Sequence, residues 1–565
     1  MMQVPRTLWN RWLQNAQNNP DQDAVIHWAA EKDPIRWTWS RLMSAACALA
    51  ERLAGAGVQK GQVCALIIRH HPDFYPLYMA VSSIGAVPAV LQYPNSRIHP
   101  DKFRQGIEGM SRHSGLDWIL TEKELNEKLA PSLSRPGSTI RGMIFPLETG
   151  GPALRGGGGE WRRAQYDVNE SDECLLQHSS GTTGLQKAVM LSHAAVLNHL
   201  DSYARSIDAG TDDKIASWLP LYHDMGLIAA FHMSLALAIP LIQLDPFEWV
   251  AAPFLLLEAV SKEKGTLTWL PNFAFNLTAD KVLDEELDHV SLKSWRMIIN
   301  CSEPVRHESM EKFFRKLSSR GLDRHALSSA YAMAETTFAV TQSAPGSEPL
   351  VVSVDREKLS KGAVSVVRGD SNARVCVSSG KTIGGCEVRI LDKDGEELPE
   401  DRVGEFVIRS DSMFRGYRND PAQTDKALKN GWYHSGDYGF RHRDAYFIVG
   451  RKKDMIIVGG NNIFPEDIED ALSSVPGMIP GRIVAFGEFD PELGTEQVCV
   501  IAESGTAGAD EHKRLRREAM AAAAAIDVTI RHLYLVPPRW LIKSSSGKPA
   551  RKANRERIHE IIPIV

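Results

Sequence analysis

The sequence lacks the cysteine spacing of a zinc site or of a dense disulfide framework. Its seven cysteines are scattered between Cys47 and Cys499 in a chain of 565 residues. Zinc sites and small disulfide-rich domains need cysteines at short, recurring spacings. We therefore expect reduced thiols in a cytoplasmic protein.

Long apolar runs and a strong excess of one charge are also missing. The first 22 residues are too polar for a secretory signal, and His232, Ser234 and Pro240 interrupt the longest apolar stretch, residues 226–244. A membrane-spanning helix needs about 20 continuous apolar residues, so this stretch predicts a buried helix followed by a buried strand, with a membrane span as the weaker alternative. The formal net charge of −5 favours neither nucleic acid nor a membrane surface as a partner.

Internal repeats are not apparent, but strand-like and helix-like segments alternate through most of the chain. The strand-like segments are residues 62–68, 87–92, 117–121, 141–145, 214–220, 266–270 and 295–300. Such alternation predicts an α/β fold with largely parallel sheets. A chain of this length needs more than one core, and we predict a large multi-sheet α/β domain (1–450) and a small, mobile α+β domain (451–565). The glycine-rich residues 152–164 are interpreted as a surface loop rather than a domain boundary, because the alternation resumes after them.

A loop rich in glycine and hydroxyl groups, HSSGTTGLQKAV (178–189), lies between a strand-like and a helix-like run. Its hydroxyls and glycine amides can surround phosphate oxygens, and Lys187 adds positive charge, although such a loop can also be only a flexible turn. It is not the common phosphate loop G-x-x-x-x-G-K-[ST], because Gln186 and Ala188 stand where the second glycine and the hydroxyl should be. This departure disfavours a kinase or an ordinary P-loop ATPase.

Two further motifs carry carboxylates. YAMAETT (331–337) places Glu335 beside two threonines, a combination that suits Mg²⁺ bridged to phosphate. HSGDYGF (434–440) sets Asp437 in a glycine turn, where it can accept hydrogen bonds from both hydroxyls of a ribose. In isolation, the first motif could equally be a surface helix start and the second an ordinary turn.

Basic residues follow toward the C-terminus. GRKKD (450–454) offers Arg451, and SSSGKPAR (544–551) places Lys548 in a flexible loop. Residues 511–560 contain 12 Lys and Arg against 5 Asp and Glu. A solvated basic surface would explain this excess, and attraction to a phosphate-bearing ligand or an acidic carrier is the functional alternative.

Taken together and in this order, these motifs resemble the adenylate-forming superfamily of acyl-CoA synthetases, peptide-synthetase adenylation domains and luciferases. The resemblance runs from about residue 8 to the C-terminus. The phosphate loop of that superfamily is S-G-T-T-G-x-P-K-G, and the corresponding residues here are SGTTGLQKA. Gln186, Ala188, Ala332 and Ser435 depart from the superfamily pattern, but none of these changes removes a charge or the hydroxyl donors.

Within the superfamily, several segments are similar to the fatty acyl-AMP ligases. They are WLPLYHDMGL (218–227), LPNFAFNL (270–277), NCSEPV (300–305) and residues 351–380. The last segment resembles an insertion, which we predict near residues 348–375. GGNNIFPEDIE (459–469) looks at least as much like the CoA ligases. The resemblance therefore implies activation of a fatty or other apolar acid to acyl-AMP and its transfer to the phosphopantetheine thiol of an acyl carrier protein. The alternative is a CoA ligase.

The resemblance also implies a role for each matching residue, with ATP and Mg²⁺ as cofactors. The phosphate loop comprises Ser180, Gly181, Thr182, Thr183, Gly184 and Lys187. Thr336 would contact the α-phosphate, Glu335 would hold Mg²⁺, and Ser302, Glu303, Pro304 and Tyr331 would line the adenine pocket. Asp437 and Arg451 would hold the ribose, Lys548 would bridge the carboxylate and the α-phosphate, and Lys453 would be the hinge for rotation of the small domain.

His223 and the general class of the protein leave alternatives. His223 is either a packed loop histidine or, by the resemblance, a residue where the acyl tunnel meets the nucleotide. In that family AAFHMSLALA (229–238) and PNFAFNL (271–277) supply apolar walls, which favours a hydrophobic acyl group over an amino acid. A non-catalytic nucleotide-binding or scaffold protein is the alternative from another class, and the joint presence of the predicted Mg²⁺, ribose and lysine residues argues against it.

Overall fold

The computed structural model describes most of the chain. The described residues are 5–94, 100–133, 137–147, 161, 168–179, 187–370, 373–459, 461–506, 508–543 and 549–561. The loop predicted at 152–164 lies outside them, apart from Trp161.

Helices and strands are numbered here in chain order. The helices are α1 Leu8–Asn18, α2 Trp39–Gly55, α3 Phe74–Ser83, α4 Pro100–Ser114, α5 Asn126–Leu129, α6 His193–Ser206, α7 Met233–Leu237, α8 Pro246–Ala251, α9 Phe254–Glu263, α10 Asn272–Lys281, α11 His307–Leu317, α12 Arg356–Ser360, α13 Pro421–Ala427, α14 Pro465–Ser473, α15 Ala509–Ala524 and α16 Arg551–Glu556. The strands are β1 Asp23–His27, β2 Ile35–Thr38, β3 Val63–Ile67, β4 Val87–Val90, β5 Trp118–Thr121, β6 Gly142–Ile144, β7 Glu173–Ser179, β8 Lys187–Ser192, β9 Ile215–Ser217, β10 Leu241–Gln243, β11 Leu267–Leu270, β12 Met297–Asn300, β13 Leu327–Ala332, β14 Ala339–Gln342, β15 Val351–Val354, β16 Arg374–Val377, β17 Lys381–Thr382, β18 Cys386–Leu391, β19 Gly404–Ser410, β20 Leu428–Lys429, β21 Trp432–His442, β22 Ala445–Arg451, β23 Ile456–Val458, β24 Asn461–Ile463, β25 Met478–Asp490, β26 Thr495–Ser504 and β27 Ile530–Val536.

The largest sheet of the described chain has the order β17-β14-β13-β12-β11-β9-β10-β1-β2. Its central strands are parallel, which brings the loops that follow β9, β12 and β13 to one edge. Ligands bind beyond the carboxyl ends of such strands. This topology confirms the predicted α/β class and collects the predicted site segments after residues 217, 300 and 332.

Two other sheets of the large domain have four or more strands. The sheet β4-β3-β5-β6 is parallel throughout, as the buried, β-branched strands predicted. The sheet β18-β19-β21-β20, with β22 paired to β21, is antiparallel and supplies Asp437 and Arg451. The predicted multi-sheet architecture is therefore confirmed.

The long apolar stretch is buried inside the large domain. A π-helical segment, Met225–His232, continues into α7, and β10 follows, as the sequence predicted. Every residue from Met225 to Ala236 is buried. Within the described residues, no helix combines the length and the apolar character that crossing a membrane requires.

The C-terminal region packs around its own mixed sheet. β25 and β26 are antiparallel, β26 and β27 are parallel, and α14 and α15 pack against one face. Two hydrophobic clusters in this region contain residues beyond 455 only. The predicted α+β character is confirmed, and the boundary at 450/451 stays a prediction.

The predicted insertion forms a small ribbon between the two regions. β15 and β16 pair as antiparallel strands, and α12 lies between them in the chain. Val354 and Cys376 pack with Phe447 of the large domain and with Phe464, the residue before α14. The insertion therefore contacts the start of the small domain directly.

A partly buried ion pair lies at the starts of β9, β11 and β12 and is the basis of a stability prediction. Asp213 accepts from Nη2 of Arg296 at 2.6 Å, from Oγ1 of Thr266 at 2.6 Å and from the Gly210 N–H at 2.9 Å. We expect Asp213→Asn to lower the free energy of unfolding of the large domain by about 2–3 kcal/mol, because one charge of the pair is left without its partner. Calorimetry measures this loss, and Asp212→Asn, at an exposed neighbour, is the control.

The same variant has an expected pH signature. Burial alone would raise the pKa of Asp213, but the hydrogen bonds from Arg296 and Thr266 hold it below its ordinary value. A lowered pKa contributes stability that is present above the unfolded pKa, about 3.9, and is lost as the pH falls through the folded pKa. The difference between wild type and Asp213→Asn should therefore be largest near pH 7 and shrink below about pH 4. A difference that does not change with pH would contradict this account.

Candidate functional site

A tyrosine, an aspartate and an arginine from two sheets form one hydrogen-bonded group. Asp437 and Arg451 face each other on β21 and β22, and Tyr331 lies near the end of β13. The Tyr331 hydroxyl donates to Oδ2 of Asp437 at 2.6 Å, and Nε of Arg451 donates to Oδ1 at 3.1 Å. The residue predicted to line the adenine pocket and the two predicted to hold the ribose therefore lie in contact.

The charges of this group are well defined. Burial, reinforced by the neighbouring Asp437, raises the pKa of Tyr331 well above its ordinary value, so the phenol stays a neutral donor. Asp437 also raises the pKa of Arg451, against the opposing effect of burial. The Asp437 side chain is 12% exposed and that of Arg451 is 47% exposed. The group therefore presents a largely buried carboxylate beside a permanent, half-exposed cation.

A second group centres on Glu335. This residue lies in the short helical turn that follows β13, and its Oε1 accepts a hydrogen bond from the Tyr417 hydroxyl at 2.7 Å. The ammonium of Lys187 lies 4.4 Å from the centroid of the same tyrosine ring, a cation–π contact. The predicted phosphate-binding lysine and the predicted Mg²⁺ ligand therefore share one neighbour.

The sequence did not predict Tyr417 as a site residue. An isolated tyrosine in FRGYRND (414–420) has no spacing that points to a site. In the fold, the Met190 N–H donates to the Gly416 carbonyl at 3.1 Å and the Arg418 N–H donates to the Ala188 carbonyl at 2.9 Å. These bonds place Tyr417 beside β8, the strand that begins with Lys187.

The hydroxyls after Glu335 are engaged with the backbone. Thr336 is fully buried, and its hydroxyl lies 3.1 Å from the Phe338 carbonyl and 3.2 Å from the Met333 carbonyl. Thr337 has a φ of +69°, and its hydroxyl donates to the Ser412 carbonyl at 2.8 Å. The role predicted for Thr336 at the α-phosphate therefore requires its hydroxyl to change partners.

The loop after β12 carries the other residues predicted for the adenine pocket. Ser302 has a φ of +71°, in the left-handed region, and its Oγ lies 3.6 Å from Sδ of Met225. Oε2 of Glu303 accepts from the Phe273 N–H at 2.9 Å, and Pro304 is exposed. This loop and the start of α10 therefore form one connected rim beside β13.

His223 lies on the same edge, after β9. Its ring centroid is 4.9 Å from that of Tyr222, and its backbone N–H donates to the Pro220 carbonyl at 3.2 Å. Met225, two residues later, contacts Ser302 of the predicted adenine pocket. The placement agrees with both interpretations of His223, the packed histidine and the residue beside the nucleotide.

Some predicted residues lie outside the described part of the chain. They are Ser180, Gly181, Thr182, Thr183 and Gly184 of the phosphate loop, and Lys548. The predicted hinge, Lys453, is described and lies two residues after Arg451. Burial lowers its pKa, and the charges of Arg451 and Lys187 act in the same direction.

Arginines of the large domain form ion pairs with acidic residues of α14, and the sequence alone did not indicate these contacts. Nη2 of Arg374 lies 3.0 Å from Oδ1 of Asp467, and Nη1 of Arg356 lies 3.2 Å from Oδ2 of the same residue. Both arginines belong to the insertion. Arg306, four residues after Ser302, forms an ion pair with Asp470. The small domain is thus tied both to the insertion and to the loop predicted to bind adenine.

The donor set at Glu335 fits a magnesium ion bound together with a phosphate. Mg²⁺ is commonly held by one or two carboxylates, by substrate phosphates and by several waters. Among the described residues, no group of three or more His, Cys, Asp or Glu side chains could hold a metal alone. A single buried carboxylate beside Lys187 suits the shared arrangement rather than an all-protein cage.

Comparison with known proteins finds relatives that match most of the chain. The family model for AMP-binding enzymes matches residues 12–418. A putative acyl-CoA synthetase of Caulobacter vibrioides is 27% identical over 520 residues, which cover 91% of this chain and 88% of the relative. The medium-chain-fatty-acid–[acyl-carrier-protein] ligase JamA of Moorena producens is 31% identical over 421 residues, which cover 71% of this chain and 70% of the relative.

A solved structure shares the whole fold. It comes from a study of fatty acyl-adenylate ligases of E. coli and L. pneumophila, with a TM-score of 0.88 and 24% sequence identity. The match covers 99% of this chain and 98% of the other. At this identity the likeness establishes the fold along the chain.

Proposed function

The chain belongs to the AMP-binding enzyme family, and we propose that it uses ATP to convert a fatty or other apolar carboxylic acid into acyl-AMP, with release of pyrophosphate. The observation that carries the proposal is the continuity of two groups along one sheet edge. Tyr331, Asp437 and Arg451 form the first, and Glu335 with Lys187 around Tyr417 forms the second. Only a few residues separate Tyr331 from Glu335, so a nucleoside and its phosphates can bind both groups at once.

The apolar acid is supported by the surroundings of the site. Residues 225–231 form a buried, apolar helical wall that begins at Met225, the residue in contact with Ser302. JamA is named for a medium-chain fatty acid, and the solved structure comes from a study of fatty acyl-adenylate ligases. A hydrophobic tail gains affinity by leaving water along such a wall.

The chemistry is a nucleophilic attack between two anions. A carboxylate oxygen of the acid attacks the α-phosphorus of ATP, the bond from that phosphorus to the bridging oxygen breaks, and pyrophosphate leaves. Because negative charge accumulates around phosphorus, positioning and positive groups supply most of the catalysis. In the proposal Lys187 binds the outgoing phosphates, Asp437 and Arg451 hold the ribose, and Lys548 bridges the attacking carboxylate and the α-phosphate. Mg²⁺ held by Glu335 would neutralise charge on the phosphates.

A thiol then takes the acyl group. Its sulfur attacks the acyl carbon, the bond to the phosphate oxygen breaks, AMP leaves, and the thiol proton is released. We propose that the thiol is the phosphopantetheine of an acyl carrier protein, as the name of JamA states for that enzyme. Rotation of the small domain about Lys453 must first break the contacts of α14 with Arg306, Arg356 and Arg374. A protein acceptor can offset this cost with its own surface contacts.

One assay tests both parts of the proposal. Pyrophosphate release is measured over a panel of carboxylic acids, alone, with CoA, and with a pantetheinylated carrier protein. We expect release with apolar acids and turnover with the carrier. Rapid formation of acyl-CoA would instead favour the CoA ligase, which the name of the Caulobacter relative keeps open. Failure of every acid to release pyrophosphate would refute the adenylation proposal and favour a non-catalytic nucleotide-binding protein.

A variant of Glu335 tests its proposed role. We expect Glu335→Gln to lower the rate of pyrophosphate release about 100-fold, since an amide is a weak ligand for Mg²⁺ while its oxygen can still accept from Tyr417. Titration of MgCl₂ should show a raised requirement for the metal. Tyr417→Phe is the matched control, because it removes the hydrogen bond but keeps the carboxylate, and it should cost about tenfold or less. An unchanged Mg²⁺ requirement in Glu335→Gln would exclude Glu335 as a ligand.

A further inference from the structure

The turn that carries Glu335 contains a backbone conformation that is rare for its residue type. This acidic turn, residues 333–338, connects β13 to β14, which pair as antiparallel strands. Within it Thr337 has a φ of +69° and a ψ of −54°, and the residue is fully buried. A β-branched residue at positive φ is an outlier, and such a conformation persists only where its surroundings enforce it. Contacts around the acidic turn must therefore hold Thr337 in place.

Main-chain hydrogen bonds close the acidic turn on itself. The Met333 N–H donates to the Phe338 carbonyl at 2.8 Å, and the Thr337 N–H donates to the Ala334 carbonyl at 2.9 Å. Both bonds lie within residues 333–338, so they fix the shape of the turn but not its placement in the protein. The direction of its carboxylate therefore depends on the contacts that the turn makes with other segments.

Three hydrogen bonds hold the acidic turn against the segment that follows β19. The Thr337 hydroxyl donates to the Ser412 carbonyl at 2.8 Å. The Phe414 N–H donates to the Glu335 carbonyl at 2.8 Å, and the Tyr417 hydroxyl donates to Oε1 of Glu335 at 2.7 Å. Ser412 and Phe414 are themselves buried. The segment thus holds both the backbone of the turn and its carboxylate.

The same segment also pairs with the strand that begins with Lys187. The Met190 N–H donates to the Gly416 carbonyl at 3.1 Å, and the Arg415 N–H donates to the Met190 carbonyl at 2.9 Å. One segment is therefore the common neighbour of the acidic turn and of β8. If the turn loosens on this segment, its carboxylate changes direction relative to the Lys187 ammonium, which lies 4.4 Å from the Tyr417 ring.

Tyr417 and Thr337 restrain the carboxylate in different ways. Burial, reinforced by Glu335, raises the pKa of Tyr417 above its ordinary value, so the phenol stays a neutral donor to one carboxylate oxygen. The side chain of Thr337 acts instead on the backbone, two residues after Glu335. Its hydroxyl can be removed without changing the carboxylate or the tyrosine, which makes its contribution measurable.

We propose that Thr337 is a positioning residue: by holding the strained turn against Ser412, it keeps the Glu335 carboxylate in the direction that Mg²⁺ bound together with ATP requires. The inference rests on the proposed function, in which Glu335 is the Mg²⁺ ligand. Mg²⁺ demands near-ideal octahedral geometry, so a rotated carboxylate is a weaker ligand. Backbone strain of this kind is a recurrent means of preorganising a site.

The test uses the full-length chain and two substitutions of Thr337. Thr337→Val keeps the shape of the side chain and removes the hydroxyl, whereas Thr337→Ser keeps the hydroxyl. Calorimetry measures the affinity for a non-hydrolysable ATP analogue in MgCl₂ and in EDTA, and the ratio of the two affinities is the gain due to the metal. We expect this gain to fall about tenfold in Thr337→Val, the equivalent of one hydrogen bond. The affinity in EDTA should stay at the wild-type value, and Thr337→Ser should keep most of the gain.

Pyrophosphate release gives a second readout. Thr337→Val should need about tenfold more MgCl₂ for its half-maximal rate, in line with the loss of one hydrogen bond. At saturating MgCl₂ most of the rate should return, because the carboxylate is still present. The double variant Glu335→Gln/Thr337→Val should need no more MgCl₂ than Glu335→Gln alone, since Thr337 acts through Glu335.

A matched control separates positioning from a purely structural role. Thr121 on β5 is also fully buried, and its hydroxyl donates to the Ile67 carbonyl at 2.8 Å. Thr121→Val should lower the melting temperature as Thr337→Val does and should leave the gain due to the metal unchanged. If Thr337→Val fails to fold, Thr337→Gly decides the question, because glycine accepts this φ without strain and also lacks the hydroxyl.

Several results would overturn the inference. An unchanged gain from the metal in a folded Thr337→Val would remove the role, and an equal loss of affinity in MgCl₂ and in EDTA would make Thr337 a structural residue. Loss of the gain in Thr337→Ser would show that the hydroxyl is not the cause, and additive losses in the double variant would show that Thr337 acts independently of Glu335. A reduced gain in Thr121→Val would also contradict it. Failure of the proposed function is distinguishable, because the wild type itself would then release no pyrophosphate with any acid.

Discussion

Replacing Lys548 by alanine is expected to slow acyl-AMP formation by about 100-fold or more and to leave thiol transfer from preformed acyl-AMP largely intact. In the proposed reaction a carboxylate approaches a phosphate, and an ammonium between them offsets the repulsion. Removing one preorganised donor of this kind commonly costs about 100- to 1,000-fold in rate. The second half-reaction has a neutral acyl carbon as its target, so it does not need the same cation.

The measurement compares pyrophosphate release with thiol transfer in the same preparation. Lys552→Ala is the matched control, since this exposed lysine on α16 pairs only loosely with Glu556, at 3.8 Å. We expect that control to behave as wild type in both assays. Equal loss of both half-reactions in Lys548→Ala would contradict the assigned role.

Asp437→Ala should produce the second large effect, a rise of about 100-fold in the KM for ATP. The substitution leaves the Tyr331 hydroxyl and the Arg451 guanidinium without the carboxylate that they share. Hydrogen bonds to charged groups contribute about 1.5–3 kcal/mol each, and 1.4 kcal/mol corresponds to a tenfold change in affinity. Loss of the ribose contacts proposed for this carboxylate therefore predicts weak nucleotide binding.

Binding of a non-hydrolysable ATP analogue, followed by calorimetry, checks this effect without turnover. Asp437→Asn should lose less, because the amide oxygen can still accept from Tyr331. Glu387→Gln removes the carboxylate of an exposed pair with Arg409 on the same sheet and should leave ATP affinity unchanged. A normal KM for ATP in Asp437→Ala would show that the ribose is held elsewhere.

Much of the fold followed from local patterns. The strand-like runs at 62–68, 117–121 and 266–270 became β3, β5 and β11, since buried parallel strands require continuous apolar residues. The apolar stretch at 226–244 became a buried helix and strand, because its polar interruptions are few enough to bury and too many for a membrane span. These features depend on residues near one another in the chain.

The site residues found from the sequence share one property. Each lies in a motif whose other residues are also of types that can bind a ligand. Glu335, Asp437 and Arg451 stand beside hydroxyls, glycines or other charges, and the fold brings two sheets together so that they lie near the end of β13. Tyr417 carries no such signal. It became part of the site only because residues 415–418 pair with β8, more than 200 residues earlier in the chain.

The sequence by itself therefore determined the α/β class, the order of the motifs and the chemistry that those motifs can perform. Only the tertiary structure decided which residues meet: Tyr331 with Asp437, Tyr417 with Glu335, and the arginines of the large domain with α14. It also turned the Thr336 hydroxyl toward backbone carbonyls, which no local pattern indicated. The physical reason is that contacts between distant segments depend on how whole layers pack, whereas propensity and periodicity report only on neighbours along the chain.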